Sequence, residues 1–358
     1  MLDRRGFLVA SLAIAAGVAT GGCARSRGSS ATDPGPDRAL AQGSSPSPRA
    51  TPAASGGVPG SSDSSGLSAG AEQLPADEPA TALGEPTLPV VEPWRPGPYD
   101  VRPTLKAAAV ALVTAAGTWG PGSPQLVGRL RAAGFDGLDP ATVWALDRPP
   151  RAGPRAAAVA QVVVAQYGGL LARSASVIVV VRQTIADAGE LRTRDATWDV
   201  RLAGDPMRVT AVLPATPRPA AAGLSNAARE VLASDRLQLP AVARADVAAG
   251  FVGDPLLHVL LGLAARWPLA VSVLGAGHPY RIFDKPAVSD HSRGRAVDIW
   301  RVDGAAVVEQ GPKVDQLMRA AAALGAYQVG GPRDLGPRSA PYYTDPVHQD
   351  HVHVGVRP

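Results

Sequence analysis

Five of the six histidines, His278, His291, His348, His351 and His353, fall after residue 277. Within that stretch Ser289-Asp290-His291-Ser292-Arg293-Gly294-Arg295-Ala296-Val297-Asp298 follows the pattern S-x-H-x-x-G-x-A-x-D, and the chain closes on Asp350-His351-Val352-His353-Val354. Imidazoles and carboxylates at such spacing are the donor set of a divalent metal. The chain has a single cysteine, Cys23, which excludes an internal disulfide and any multi-cysteine zinc or iron–sulfur site. A metal here must be held by histidine and carboxylate.

The elements that would position these groups are legible from local pattern. His291 sits in a turn, and Gly294 lets the backbone bend into the strand that follows. Along Ala296-Val297-Asp298-Ile299-Trp300, alternation puts Asp298 with Ala296 on one face and Val297 with Ile299 on the other. Small Ala296 leaves room beside the carboxylate. In the last strand His351 and His353 share a face while Val352 and Val354 pack away. Asp350 is out of phase with both histidines unless the strand begins after it.

These two motifs resemble those of the zinc D-Ala-D-Ala carboxypeptidases and the related L-alanyl-D-glutamate peptidases. That superfamily also contains the lysostaphin-type endopeptidases and the hedgehog signalling domain. The resemblance covers the stretch from His278 to the end. It implies one zinc ion, Zn2+, with His291, Asp298 and His353 as ligands and a fourth position open for water. It also implies Asp350 as general base, with His351 stabilising the oxyanion, although strand parity favours His351 for the first role. Arg281 stands where these peptidases place an arginine for a substrate carboxylate. Tyr342, Tyr343 and Trp300 are candidates to line a cleft or to pack on the core strands, and the turn-rich loop from Gly330 to Pro337 is a candidate lid or cleft wall. The implied substrates are peptidoglycan stem peptides, cut as a carboxypeptidase or an endopeptidase. The alternative is a non-catalytic, zinc-containing module that binds the cell envelope.

Elsewhere the pattern predicts an α+β chain in two folded pieces. Residues 98–214 read as helices followed by sheet. The helices are expected at Leu105–Ala115, Leu126–Ala133 and Ala156–Leu171, and the strands at Ala175–Val181, Ala196–Leu202 and Met207–Leu213. This order resembles the nuclear transport factor two-like cone fold of exported actinobacterial proteins. It holds no catalytic cluster, so its expected role is a scaffold or a surface for an envelope protein partner. Residues 220–358 read as helices at Ser225–Ala233, Pro240–Ala249 and Pro255–Arg266, a buried strand at Leu269–Leu274, and the motif-bearing strands of a small antiparallel sheet.

The N-terminal residues read as an address. Arg4-Arg5-Gly6-Phe7-Leu8 resembles a twin-arginine export signal, and the apolar run after it is too short to span a bilayer. Thr20-Gly21-Gly22-Cys23 resembles a lipobox, which implies lipidation of Cys23 and attachment to the outer face of the cell membrane. Residues 24–97 are Ser, Pro, Gly, Ala and Asp with almost no large apolar side chain, the composition of a disordered tether reaching into the wall. With 39 glycines and 35 prolines the chain carries about a fifth of its residues as these two types. A charged fraction of 18% and a net charge of +4 argue against a nucleic-acid binder.

Overall fold

The computed structural model describes residues 87–358 except 141, 142, 284 and 339. The signal segment, Cys23 and residues 24–86 lie outside the described residues. Residues 87–97, expected as tether, run without regular secondary structure, yet Trp94 packs against the first hydrophobic core.

Helix α1 (Pro103–Gly117) opens with a proline, whose missing N–H has no intrahelical partner to lose. Leu105, Ala109, Leu112, Val113 and Ala116 recur at helical spacing and are buried, and Lys106 is buried with them. Helix α2 (Leu126–Ala132) contributes Leu126 and Leu130 to the same core. Its Arg129 donates to the carbonyls of Ala115 and Ala116, at 3.1 and 3.0 Å, so the end of α1 is satisfied by a side chain.

The segment expected as a third helix is instead a strand, β1 (Ala157–Leu170). Its alanines suit a helix, but Val162-Val163-Val164 and the Gly168-Gly169 pair favour extended backbone. Pairing with β2 (Ser174–Asp187) over its whole length decides the outcome. With β3 (Glu190–Gly204) and β4 (Met207–Pro214) it forms a four-stranded antiparallel meander in the order β1-β2-β3-β4. Val177, Val179 and Val181 of β2 face the core shared with α1, together with Trp198, Val200 and Leu202 of β3. The intervening Ile178 and Val180 are buried as well, so both faces of β2 are covered.

The second face meets the rest of the chain. Helices α3 (Asn226–Ala233), α4 (Ala241–Ala248) and α5 (Asp254–Ala264) come first, α3 being capped by the Ser225 hydroxyl, which accepts from the Ala228 N–H at 3.1 Å. The strands are β5 (Leu237–Gln238), β6 (Leu269–Val273), β7 (Ala296–Val302), β8 (Ala305–Ala306), β9 (Gln328–Gly330), β10 (Tyr342–Tyr343) and β11 (Val352–Gly355). Helix α6 (Pro312–Ala323) precedes β9. They form a seven-stranded sheet in the order β10-β9-β11-β7-β6-β5, with β8 on β7. The expected small antiparallel sheet is thus larger and mixed. Its centre is antiparallel, while the two-residue strands β5 and β10 add on in parallel at the ends.

One face of this sheet packs on the helices. Val297 and Ile299 of β7 and Val352 and Val354 of β11 join Leu256, Leu260 and Leu263 of α5 and Leu317 and Met318 of α6 in a second core. The two-residue period then fixes where the alternate residues go. Asp298 and His353, which are register partners across β7 and β11, are turned away from the helices toward the first sheet. Among the described residues no helix is long and apolar enough to cross a membrane.

Candidate metal centre

Three side chains converge between the two sheets. His291 Nε2 lies 3.1 Å from Asp298 Oδ1 and 3.1 Å from His353 Nδ1, and the latter two are 3.0 Å apart. All three residues are buried. His291 is held in a 3₁₀ turn (His291–Arg293) that ends on Gly294 at φ 67°. A Cβ on Gly294 would lie 2.1 Å from the Phe251 carbonyl oxygen, so only glycine allows the chain to turn here into β7. His291 Nδ1 lies 2.6 Å from the Leu274 carbonyl oxygen and donates to it, which leaves Nε2 with its lone pair facing the centre. The turn after β6 is fixed in its own right, because the buried Asp246 carboxylate accepts from the N–H groups of Gly275 and Ala276 at 2.9 and 2.8 Å.

This triangle fits zinc. Ligands about 2.0–2.1 Å from a tetrahedral zinc lie about 3.3 Å from one another. Two imidazole lone pairs and a carboxylate oxygen aimed at one point need a cation or proton among them. Burial would push Asp298 up, but the neighbouring His291 and His351 hold it well below the usual carboxylate range. Burial drives His353 down to about 4. The His/His/Asp geometry is that of a metal-binding site compatible with zinc and with metal-dependent catalysis.

His278, for which sequence offers no motif beyond membership of the histidine cluster, belongs to the same centre. Its ring stacks on His291 with centroids 4.0 Å apart and planes inclined by 16°. Its Nδ1 donates to the Pro279 carbonyl at 2.9 Å, so Nε2 carries the lone pair. Donor atoms of His278, His291 and Asp298 all lie within 4.8 Å of one another, a His/His/Asp group that could hold a metal ion. Burial, and then the charge of His291, keep His278 well below its ordinary value.

Asp350, the expected general base, precedes the last strand and lies beside His351. Strand β11 begins at Val352, so Asp350 is free of its alternation and turns toward the first sheet. Its Oδ1 accepts from His351 Nδ1 at 2.6 Å, and its Oδ2 accepts from the Tyr167 N–H at 3.2 Å and from Lys106. Lys106 also pairs with Asp100. Asp350 lines a second cavity together with Trp94, Asp100 and Lys106, whereas His351 lines the metal cleft. His351 Nε2 is 3.6 Å from Asp298 Oδ2. Burial opposes charge on His351, but Asp298 and Asp350 outweigh it and raise its pKa. Burial likewise opposes charge on Asp350, which Lys106 and His351 overcome to lower it.

The cleft over the centre holds about 350 Å³ and runs between residues 167–171, at the end of β1, and the segment around Phe283. Arg281 is outside it. Its guanidinium donates to the Pro286 carbonyl and lines a neighbouring groove with Arg201 and Lys285. The arginine at the cleft is Arg293, inside the first motif and exposed. Tyr343 lines the cleft, while Tyr342 packs against the second core. The Tyr343 hydroxyl lies 3.2 Å from His348 Nε2, and His348 Nδ1 donates to Asp345 at 2.8 Å. Burial, then Asp345, push the Tyr343 phenol well above its ordinary value and keep it protonated. The segment from Gly330 to Pro337 does not wall the cleft among the described residues. Its Arg333 is tied to Asp315 of α6 at 2.8 Å. The chain matches no protein-family model, no curated protein and no solved structure.

Proposed function

We propose that this chain is an exported, lipid-anchored zinc peptidase that hydrolyses peptide bonds in peptidoglycan stem peptides. The observation that carries the reading is the convergence of His291 Nε2, Asp298 Oδ1 and His353 Nδ1 within 3.0–3.1 Å of one another. They are the ligand positions of the S-x-H-x-x-G-x-A-x-D and D-H-x-H motifs that resemble the D-Ala-D-Ala metallopeptidases. On this reading the second sheet and its helices are of the metallopeptidase and hedgehog type, and the first sheet is of the nuclear transport factor two-like type. Cys23 carries the lipid, and residues 24–86 carry the folded part into the wall.

His291, Asp298 and His353 would hold the ion. Zinc bound there supplies a water acidic enough to ionise near neutral pH and a Lewis acid for the scissile carbonyl. His351 Nε2 would be the group to take a proton from the attacking water and pass it to the leaving amine. Asp350 fixes the tautomer this needs, since its Oδ1 holds the proton on His351 Nδ1. Lys106 and the Tyr167 N–H hold Asp350 in turn. Protonated Tyr343 and the exposed Arg293 stand at the cleft as donors, Arg293 suited to a substrate carboxylate by its paired N–H groups.

The test is cleavage of purified stem peptides, read by mass spectrometry. Zinc-loaded wild type is expected to cut them, with activity lost on chelation and in His291→Ala. Zinc binding with no cleavage of any stem peptide would overturn the peptidase reading and leave a zinc-containing module that binds the envelope.

A further inference from the structure

We infer that the first sheet completes the metal centre, with Gln166 of β1 as the residue that positions Asp298; this rests on reading the His291, Asp298 and His353 cluster as a zinc site. Gln166 is fully buried, and its Nε2 donates to Asp298 Oδ2 at 2.8 Å. The other carboxylate oxygen, Oδ1, is the one that faces His291 and His353. Gln166 therefore occupies one oxygen and orients the other toward the ion. From the motif-bearing part of the chain, His351 Nε2 lies farther from Oδ2, at 3.6 Å.

The strand that carries Gln166 is pinned immediately beyond it. The next residue, Tyr167, gives its N–H to Asp350, and its hydroxyl donates to the Val101 or Arg102 carbonyl, at 3.0 and 2.9 Å. Two residues further on, a Cβ on Gly169 would fall 2.1 Å from Phe283 Cγ, so the backbone approaches that ring as only glycine can. Gln166 Oε1 is buried with no hydrogen-bond partner. An apolar side chain of the same length would avoid that cost, and the amide is kept where its N–H serves Asp298. Because it acts through Asp298, Gln166 is a positioning residue, and its effect belongs to metal affinity before it belongs to rate.

The experiment measures the zinc dissociation constant of the full chain by competition with a chromophoric chelator. Gln166→Met keeps length and removes the donor. It is expected to weaken zinc binding about 10–100-fold, the usual cost of losing a partner behind a metal ligand, while circular dichroism shows the fold retained. In an Asp298→Ala background, read with a weaker chelator, the same change is expected to cost less than about twofold, because the group it acts through is gone. Native affinity in folded Gln166→Met, or an equal loss in both backgrounds, would overturn the assignment while leaving the zinc site standing. If Gln166→Met does not fold, Gln166→Leu is measured in the same way, and native affinity there overturns it equally. A folded wild type that binds no zinc would overturn the metal reading and this inference together.

Discussion

His351 offers its two ring nitrogens to opposite partners. Nδ1 meets the Asp350 carboxylate at 2.6 Å, and Nε2 faces Asp298 Oδ2 at 3.6 Å across the edge of the cleft. A proton held on Nδ1 leaves Nε2 basic, and on this ground the proposed mechanism gives proton transfer to His351 and orientation to Asp350. His351→Ala is accordingly expected to lower peptide hydrolysis by about two to four orders of magnitude, the range of general acid–base catalysis, with zinc still bound. Asp350→Asn is expected to lower it less, since the amide can still accept from Nδ1. Steady-state rates on a stem peptide decide, and a fully active His351→Ala would return the base to Asp350. At this scale much of the site was legible. His291, Asp298 and His353 come straight from two short motifs, because a metal centre needs fixed donor types at fixed spacing. His278, Gln166 and Lys106 were not legible, because they reach the centre from outside both motifs.

At the scale of elements, the placement of Asp298 and His353 follows from strand period alone. Valines and isoleucine on one face of β7 and β11 fill the core, and the other face is left to the donors. The same reasoning made the position of Asp350 depend on where the strand begins, and β11 begins two residues after it, at Val352. It failed at β1, where alanine-rich sequence concealed a strand and with it the side chains of Gln166 and Tyr167. What ties α1 to the start of β11 is Lys106, buried between Asp100 and Asp350. Burial alone would lower its pKa, but the two carboxylates overcome this and raise it above 10.5. A lysine pKa raised on folding gives stability that is fully present below about 10.5 and is lost as pH rises through the folded value. Lys106→Met leaves buried carboxylates without their cation, and is expected to cost about 3–5 kcal/mol at neutral pH. Urea unfolding of both proteins across pH checks it. The gap between them should narrow above pH 10.5, and equal midpoints at pH 7 would contradict it.

For the molecule as a whole, the order of helices then sheet in the first piece and of helices with motif-bearing strands in the second was readable, because each rests on local periodicity. Their mutual packing was not, because no local pattern records it. The first sheet is covered by α1 on one face and reaches the metal centre from the other, so the part expected to act as a scaffold or a partner surface supplies Gln166, the Tyr167 N–H and Lys106 to the site. Tyr167 to Leu171 and Phe283 line the cleft together with the metal-site histidines. The measurement that tests the account most directly is zinc content per chain after equilibrium dialysis, in the wild type and in His291→Ala and His353→Ala. The account predicts one zinc in the wild type and close to none in either folded variant. A folded wild type without zinc, or full occupancy in both variants, would contradict it.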